Sequence, residues 1–129
     1  MKLDPELYPF KENFFETCEG SRLHYVDEGP RDGKILLMVH GNPSWSFLYR
    51  DVIKTLSPQF RCIAIDHLGC GKSDQPMDGT YNLKNHVDRL CQLVDHLKLE
   101  NITLLLHDWG GAIGMGMATR FPDRIQAIS

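Results

Sequence analysis

Ile102-Thr103-Leu104-Leu105-Leu106-His107-Asp108-Trp109-Gly110-Gly111 passes from a continuous apolar run into two glycines with only His107, Asp108 and Trp109 between. A run of this length, apolar but for Thr103, predicts a strand buried on both faces, as in a parallel sheet. The residues after it, from Gly110 to Phe121, predict a helix that Pro122 stops. Strand and helix therefore meet in a turn with no loop residues, and such a turn pushes its central side chain, Asp108, outward.

Two similar runs lie upstream. Ile35-Leu36-Leu37-Met38-Val39 and Cys62-Ile63-Ala64-Ile65 are each followed by segments with helical periodicity. Strand, helix, strand, helix, strand implies parallel pairing. Between the second and third runs, Leu83, Val87, Leu90, Val94 and Leu97 recur at three- and four-residue intervals and predict a helix over 83–97, with Asn82 as its N-cap. Before the first run, Asn13 to Cys18 and Arg22 to Val26 flank Glu19-Gly20-Ser21, the pattern of a hairpin, and Pro30 to Gly33 reads as a loop. The sheet is expected to start antiparallel. Arg124 to Ser129 reads as the start of one more strand, whose apolar edge would invite pairing with a complementing chain or a second copy.

The chain has 129 residues, 42% hydrophobic and 24% charged, which suits one core and one domain or part of one, 1–129. Net charge is −3 with Lys and Arg scattered singly, so nucleic acid is not an expected partner and a small apolar substrate is. No stretch approaches the roughly 20 apolar residues of a membrane span. Cys18, Cys62, Cys70 and Cys91 show no C-x-x-C spacing, and they read as reduced thiols in a cytoplasmic protein. The His and Asp residues lack metal-ligand spacing on any one element, and no cofactor is expected.

The turn at Asp108 has the pattern of a nucleophile elbow, where the following helix N-terminus supplies positive potential and free N–H groups to an anion. Asp is also a common N-cap, so a capping role stands beside the chemical one. His40-Gly41-Asn42-Pro43 ends the first parallel strand and can offer backbone N–H groups to a developing oxyanion. Strand ends of a parallel sheet converge on one crevice, which would bring the two segments together.

His40-Gly41-Asn42-Pro43-Ser44-Trp45-Ser46-Phe47-Leu48-Tyr49-Arg50, Asp66-His67-Leu68-Gly69-Cys70-Gly71-Lys72-Ser73-Asp74-Gln75-Pro76 and His107-Asp108-Trp109-Gly110-Gly111 together resemble the haloalkane dehalogenase group of the α/β-hydrolase superfamily. The resemblance runs over essentially the whole chain. It implies an α/β-hydrolase fold, N-terminal part, with a mostly parallel sheet flanked by helices, and with the cap, the C-terminal strands, the catalytic acid and the His base all lying beyond Ser129. Asp108 takes the role of nucleophile, forming an alkyl ester as halide leaves. Asn42 and Trp109 take that of the halide cradle, with plain core packing as the bland alternative for Trp109. The Cys70 turn and Ser44-Trp45-Ser46-Phe47 are more similar to the β-lactone decarboxylase branch of olefin biosynthesis. Epoxide hydrolases share the elbow but usually carry an aromatic residue where Asn42 stands.

None of the six histidines stands where the family has its base. His24, His67, His86 and His96 read as surface or loop residues, and His107 should point away from Asp108. Two rivals come from other classes. Gly71-Lys72-Ser73 matches the end of a phosphate-binding loop, but Asp66 stands where its first glycine belongs. Gly110, Gly111, Gly114 and Gly116 do not space as a dinucleotide fingerprint and read instead as sites of close helix packing. A chain without its base is also compatible with an interaction module.

Overall fold

A computed structural model describes residues 5–42, 44–79 and 81–129, so Pro43, quoted above, lies outside the described residues. The described elements are β1 (Asn13–Glu16), β2 (Arg22–Glu28), β3 (Lys34–Val39), α1 (Arg50–Leu56), β4 (Phe60–Ile65), α2 (Leu83–His96), β5 (Ile102–Leu106), α3 (Trp109–Arg120) and β6 (Ile125–Ile128), with short 3-10 turns before α1 and before β6. The strands form one sheet in the order β1-β2-β4-β3-β5-β6.

The hairpin turns at Gly20, whose φ of 88° lies in the left-handed region that favours glycine. β1 pairs antiparallel with β2, and β2 with β4, while β3 pairs parallel with β4 and β5, and β5 with β6. Chain order and sheet order part company at β3. The α1 crossover carries the chain to one side of β3, and the α2 crossover carries it back to the other. Ligand crevices of open α/β sheets lie at such a reversal, outside the carboxyl ends of the strands.

Alternation along β3 and β4 serves two faces. Leu37, Val39, Ile63 and Ile65 pack against α2 through Val87, Leu90 and Val94 and against α3 through Ile113 and Met117. Met38, Cys62 and Ala64 face the other way, onto Ile53, Tyr49 and Tyr8. Burial on both faces is why these strands read as unbroken apolar runs. α2 starts where Asn82 Oδ1 accepts the Asn85 amide proton at 2.9 Å. Leu83 departs from the predicted stripe: it is exposed, one turn before the buried Val87.

The α3 glycines divide by what faces them. A Cβ on Gly110 would run into the Val39 carbonyl oxygen and approach that of His40 to 2.7 Å, so the start of α3 lies on the end of β3. Gly114 admits Leu106 of the sheet, whereas Gly116 admits Val87 of α2, a helix-to-helix contact. Gly111 faces nothing within 4 Å.

Candidate active site

Asp108 has φ 56° and ψ −128°, a left-handed conformation in a residue with a side chain. Such backbone costs on the order of 1–3 kcal/mol and persists where the surroundings enforce it. Here they do: α3 presses on β3 at Gly110, and the Gly110 and Gly111 amides bond back to the carbonyls of His107 and Asp108 at 2.9 and 2.8 Å. Asp108 stands at the N-cap position of α3, but its side chain makes no capping bond to the amides beyond Trp109. The capping alternative therefore fails on geometry.

The carboxylate turns instead toward the end of β3. Asp108 Oδ2 lies 3.4 Å from the Asn42 backbone nitrogen, which donates to it. The approach requires a glycine at 41, because a Cβ there would stand 2.6 Å from Asp108 Cβ and 2.7 Å from Oδ2. The backbone N–H of Trp109, then that of Asn42, holds the carboxyl below the usual carboxylate range. Asp108 is thus an exposed, ionised carboxylate gripped by two amides.

Asn42 and Trp109 lie together on the wall of an open cleft of about 680 Å3, shared with His67, Cys70, Tyr81 and His86. Asp108 abuts this wall at Gly41. Trp109 is 52% exposed and belongs to neither apolar cluster of the described residues. The structure brings Asn42, Asp108 and Trp109 to one place, from two strand ends that 66 residues separate in the chain.

Two of the histidines read as surface or loop residues are buried. His24 is fully buried on β2 and lies 2.8 Å from Asp66 Oδ2 through its Nδ1. Burial alone would raise the Asp66 carboxyl, but the His24 side chain and the amides of Ser46 and Lys72 hold it below the usual range. Asp66 also accounts for the failed phosphate-loop match, since its Oδ2 receives the Lys72 amide that such a loop would turn to phosphate. His67 is in a loop, as read, yet only 5% exposed. Burial, then the neighbouring His40 and His86, pushes its imidazole well below the usual histidine value. His86, half-buried on α2, is pushed down to about 4 by burial and by Arg89.

His67, His86 and Tyr81 are cleft residues that local pattern did not pick out. One signal was present for His67: it follows the carboxyl end of a predicted parallel strand, the edge where the other candidates lie. His96 is exposed, as read, and so is His107.

A six-stranded, mostly parallel sheet with an acid at a strained strand-to-helix turn defines an α/β hydrolase. Residues 34–128 match the family described as the alpha/beta hydrolase fold, and the chain belongs to that family. Among its relatives, a cis-3-alkyl-4-alkyloxetan-2-one decarboxylase of Shewanella oneidensis is 51% identical over 125 residues, covering 95% of this chain and 38% of that protein. Haloalkane dehalogenase 2 of Mycobacterium tuberculosis is 45% identical over 125 residues, covering 97% of this chain and 43% of that protein. The solved structure of a tetrameric haloalkane dehalogenase from Paraglaciecola agarilytica superposes with a TM-score of 0.88 at 33% identity, covering 99% of this chain and 47% of that one. The chain thus spans less than half the length of these relatives.

Proposed function

We propose that this chain is the nucleophile-bearing part of a haloalkane dehalogenase-like hydrolase, with Asp108 as nucleophile and Asn42 and Trp109 as the cradle for the leaving halide. The observation that carries the reading is the Asp108 carboxylate itself: strained in backbone, free of any capping bond, and met by the amides of Asn42 and Trp109 at the crevice of the sheet.

In the first step a carboxylate oxygen of Asp108 bonds to the substrate's tetrahedral carbon. The carbon–halogen bond breaks and halide leaves with its electron pair. A carboxylate suits this attack because it is already ionised and needs no base. The side-chain amide of Asn42 and the indole N–H of Trp109 are the donors for the departing anion. In the second step water, losing a proton to a base, adds to the ester's carboxyl carbon, and the charge gathers on the carboxyl oxygen beside the two backbone amides; collapse of this adduct breaks the bond from the carboxyl carbon to the alkyl oxygen, releases the alcohol and restores the carboxylate. Activating that water requires a histidine base and its acid partner, which a complementing segment or chain would supply. The chain alone would capture one alkyl group and keep it.

The substrate is small and apolar, no cofactor takes part, and the setting is the cytoplasm. The four thiols are unpaired, and no described helix is long and apolar enough to cross a membrane. The higher identity to the decarboxylase than to the dehalogenase supports a second reading, in which the same carboxylate opens a β-lactone on the way to an olefin.

Halide binding tests the cradle. In a Trp45→Phe background, bromide should quench Trp109 fluorescence along a saturating curve, because a site fills. A strictly linear response, that of simple collision with an exposed indole, would count against it. In the complete protein, Asp108→Ala should abolish turnover, and full activity would end the assignment.

A further inference from the structure

The amide of Asn42 is aimed from behind by two histidines that the proposed chemistry does not use. His40 is fully buried. Its Nδ1 lies 2.6 Å from the Gly41 carbonyl oxygen, and its Nε2 lies 3.0 Å from the His67 backbone nitrogen. A ring nitrogen facing a carbonyl must carry the proton, and one facing an N–H must not. Both contacts therefore select the same neutral tautomer, Nδ1–H.

His67 closes the arrangement. Its Nε2 lies 3.0 Å from the His40 carbonyl oxygen, so it too donates, and the two ring centroids are 4.1 Å apart. His67 holds His40 twice, by its backbone N–H on the ring and by its own ring N–H on the backbone. The Gly41 carbonyl and the Asn42 N–H belong to one peptide group, and in a planar trans peptide they point in opposite directions. A proton donor pulling on the carbonyl from inside the fold turns the N–H outward, toward Asp108.

We propose that His67 is a positioning residue: acting through His40, it sets the direction of the Asn42 amide that meets the Asp108 carboxylate. This rests on the proposed role of Asp108 for its catalytic meaning, though not for its geometry. The side-chain donor is what matters at position 67, since any residue but proline supplies the backbone N–H. Glutamine can still donate to the His40 carbonyl; leucine cannot.

The test is NMR on the labelled chain. In His67→Leu, the Asn42 amide should shift and the Asp108 carboxyl midpoint should rise toward the ordinary carboxylate value, while His67→Gln should restore both. Alkylation of Asp108 by an alkyl bromide should slow about tenfold in the Leu variant and recover in the Gln variant, which corresponds to about 1.4 kcal/mol of barrier. A folded Leu variant with Asn42 and Asp108 unmoved, or Leu and Gln variants that behave alike, would overturn the proposal. The unmutated chain gives a check that needs no variant to fold: imidazole nitrogen shifts must show His40 as the Nδ1–H and His67 as the Nε2–H tautomer, and either opposite form overturns it. If Asp108 is never alkylated but the NMR couplings hold, the proposed chemistry fails and the positioning survives.

Discussion

Replacing Asp66 with asparagine isolates the contribution of one buried carboxylate to the frame of the site. Its Oδ1 accepts the Ser46 amide at 2.6 Å, and its Oδ2 accepts His24 Nδ1 at 2.8 Å and the Lys72 amide at 3.1 Å. Asparagine fills the same volume with one acceptor oxygen. Its better orientation keeps that oxygen where Oδ2 serves two donors and sets an NH2 group against the Ser46 N–H. One charge-assisted bond is lost and a buried donor is stranded, for a cost of about 2–4 kcal/mol. With a urea m-value of about 2 kcal/mol per molar for a chain of this size, the unfolding midpoint at pH 7 should fall by about 1–2 M.

Acid provides the internal control. The folded carboxyl lies below its usual range, so its contribution is complete above the unfolded value of about 3.9 and is lost as pH falls through the folded one. Protonation then does to the native protein what asparagine does at every pH. The gap between the two urea curves, about 2–4 kcal/mol at pH 7, should narrow as pH drops below about 3.9. A gap under about 0.5 kcal/mol at pH 7, or one that stays constant into acid, would show that the Asp66 carboxylate does not carry this part of the frame.

Further substitutions test the close packing and the titrating cleft. Gly110→Ala places a methyl group against the Val39 carbonyl and should destabilise by at least about 2 kcal/mol, whereas Gly111→Ala meets nothing within 4 Å and should gain up to about 1 kcal/mol from helix propensity. Equal effects in thermal unfolding would show that α3 does not lie so close to β3. Because the His86 imidazole is lowered to about 4, it stays neutral in the fold between there and pH 6.5 while the unfolded chain takes up a proton. Stability should therefore decline as pH falls through that window, by up to about 1.4 kcal/mol per pH unit for each such histidine. His86→Gln should flatten the decline, and an unchanged slope would contradict the assignment.

Local pattern carries the reading of this chain as far as neighbours in sequence decide the outcome. The apolar runs at 35–39, 62–65 and 102–106, the hairpin at Gly20, the Asn82 cap and the last strand all emerge where they were expected. What escaped depends on partners far apart. Nothing near His24 announces that β2 will lie between β1 and β4, buried on both faces, with Asp66 coming to it across 42 residues. Arg89 of α2 is 2% exposed and paired with Glu19 of the hairpin turn, 70 residues away. Leu83 fits the apolar stripe of its helix by spacing, yet it opens onto the cleft because no described element covers that end of α2. The candidate site was legible to the extent that it sits on strand ends, since Asn42, Asp108 and Trp109 belong to short motifs there. The His40–His67 clasp was not, because it depends on β3 and β4 being neighbours in register.

The proposed chemistry requires that Asp108 attack carbon. After incubation of the purified chain with a short alkyl bromide, intact-mass and peptide mass spectrometry should find one alkyl group per chain, as an ester on Asp108, and none in Asp108→Asn. An unmodified chain, or an adduct that survives replacement of Asp108, would contradict it.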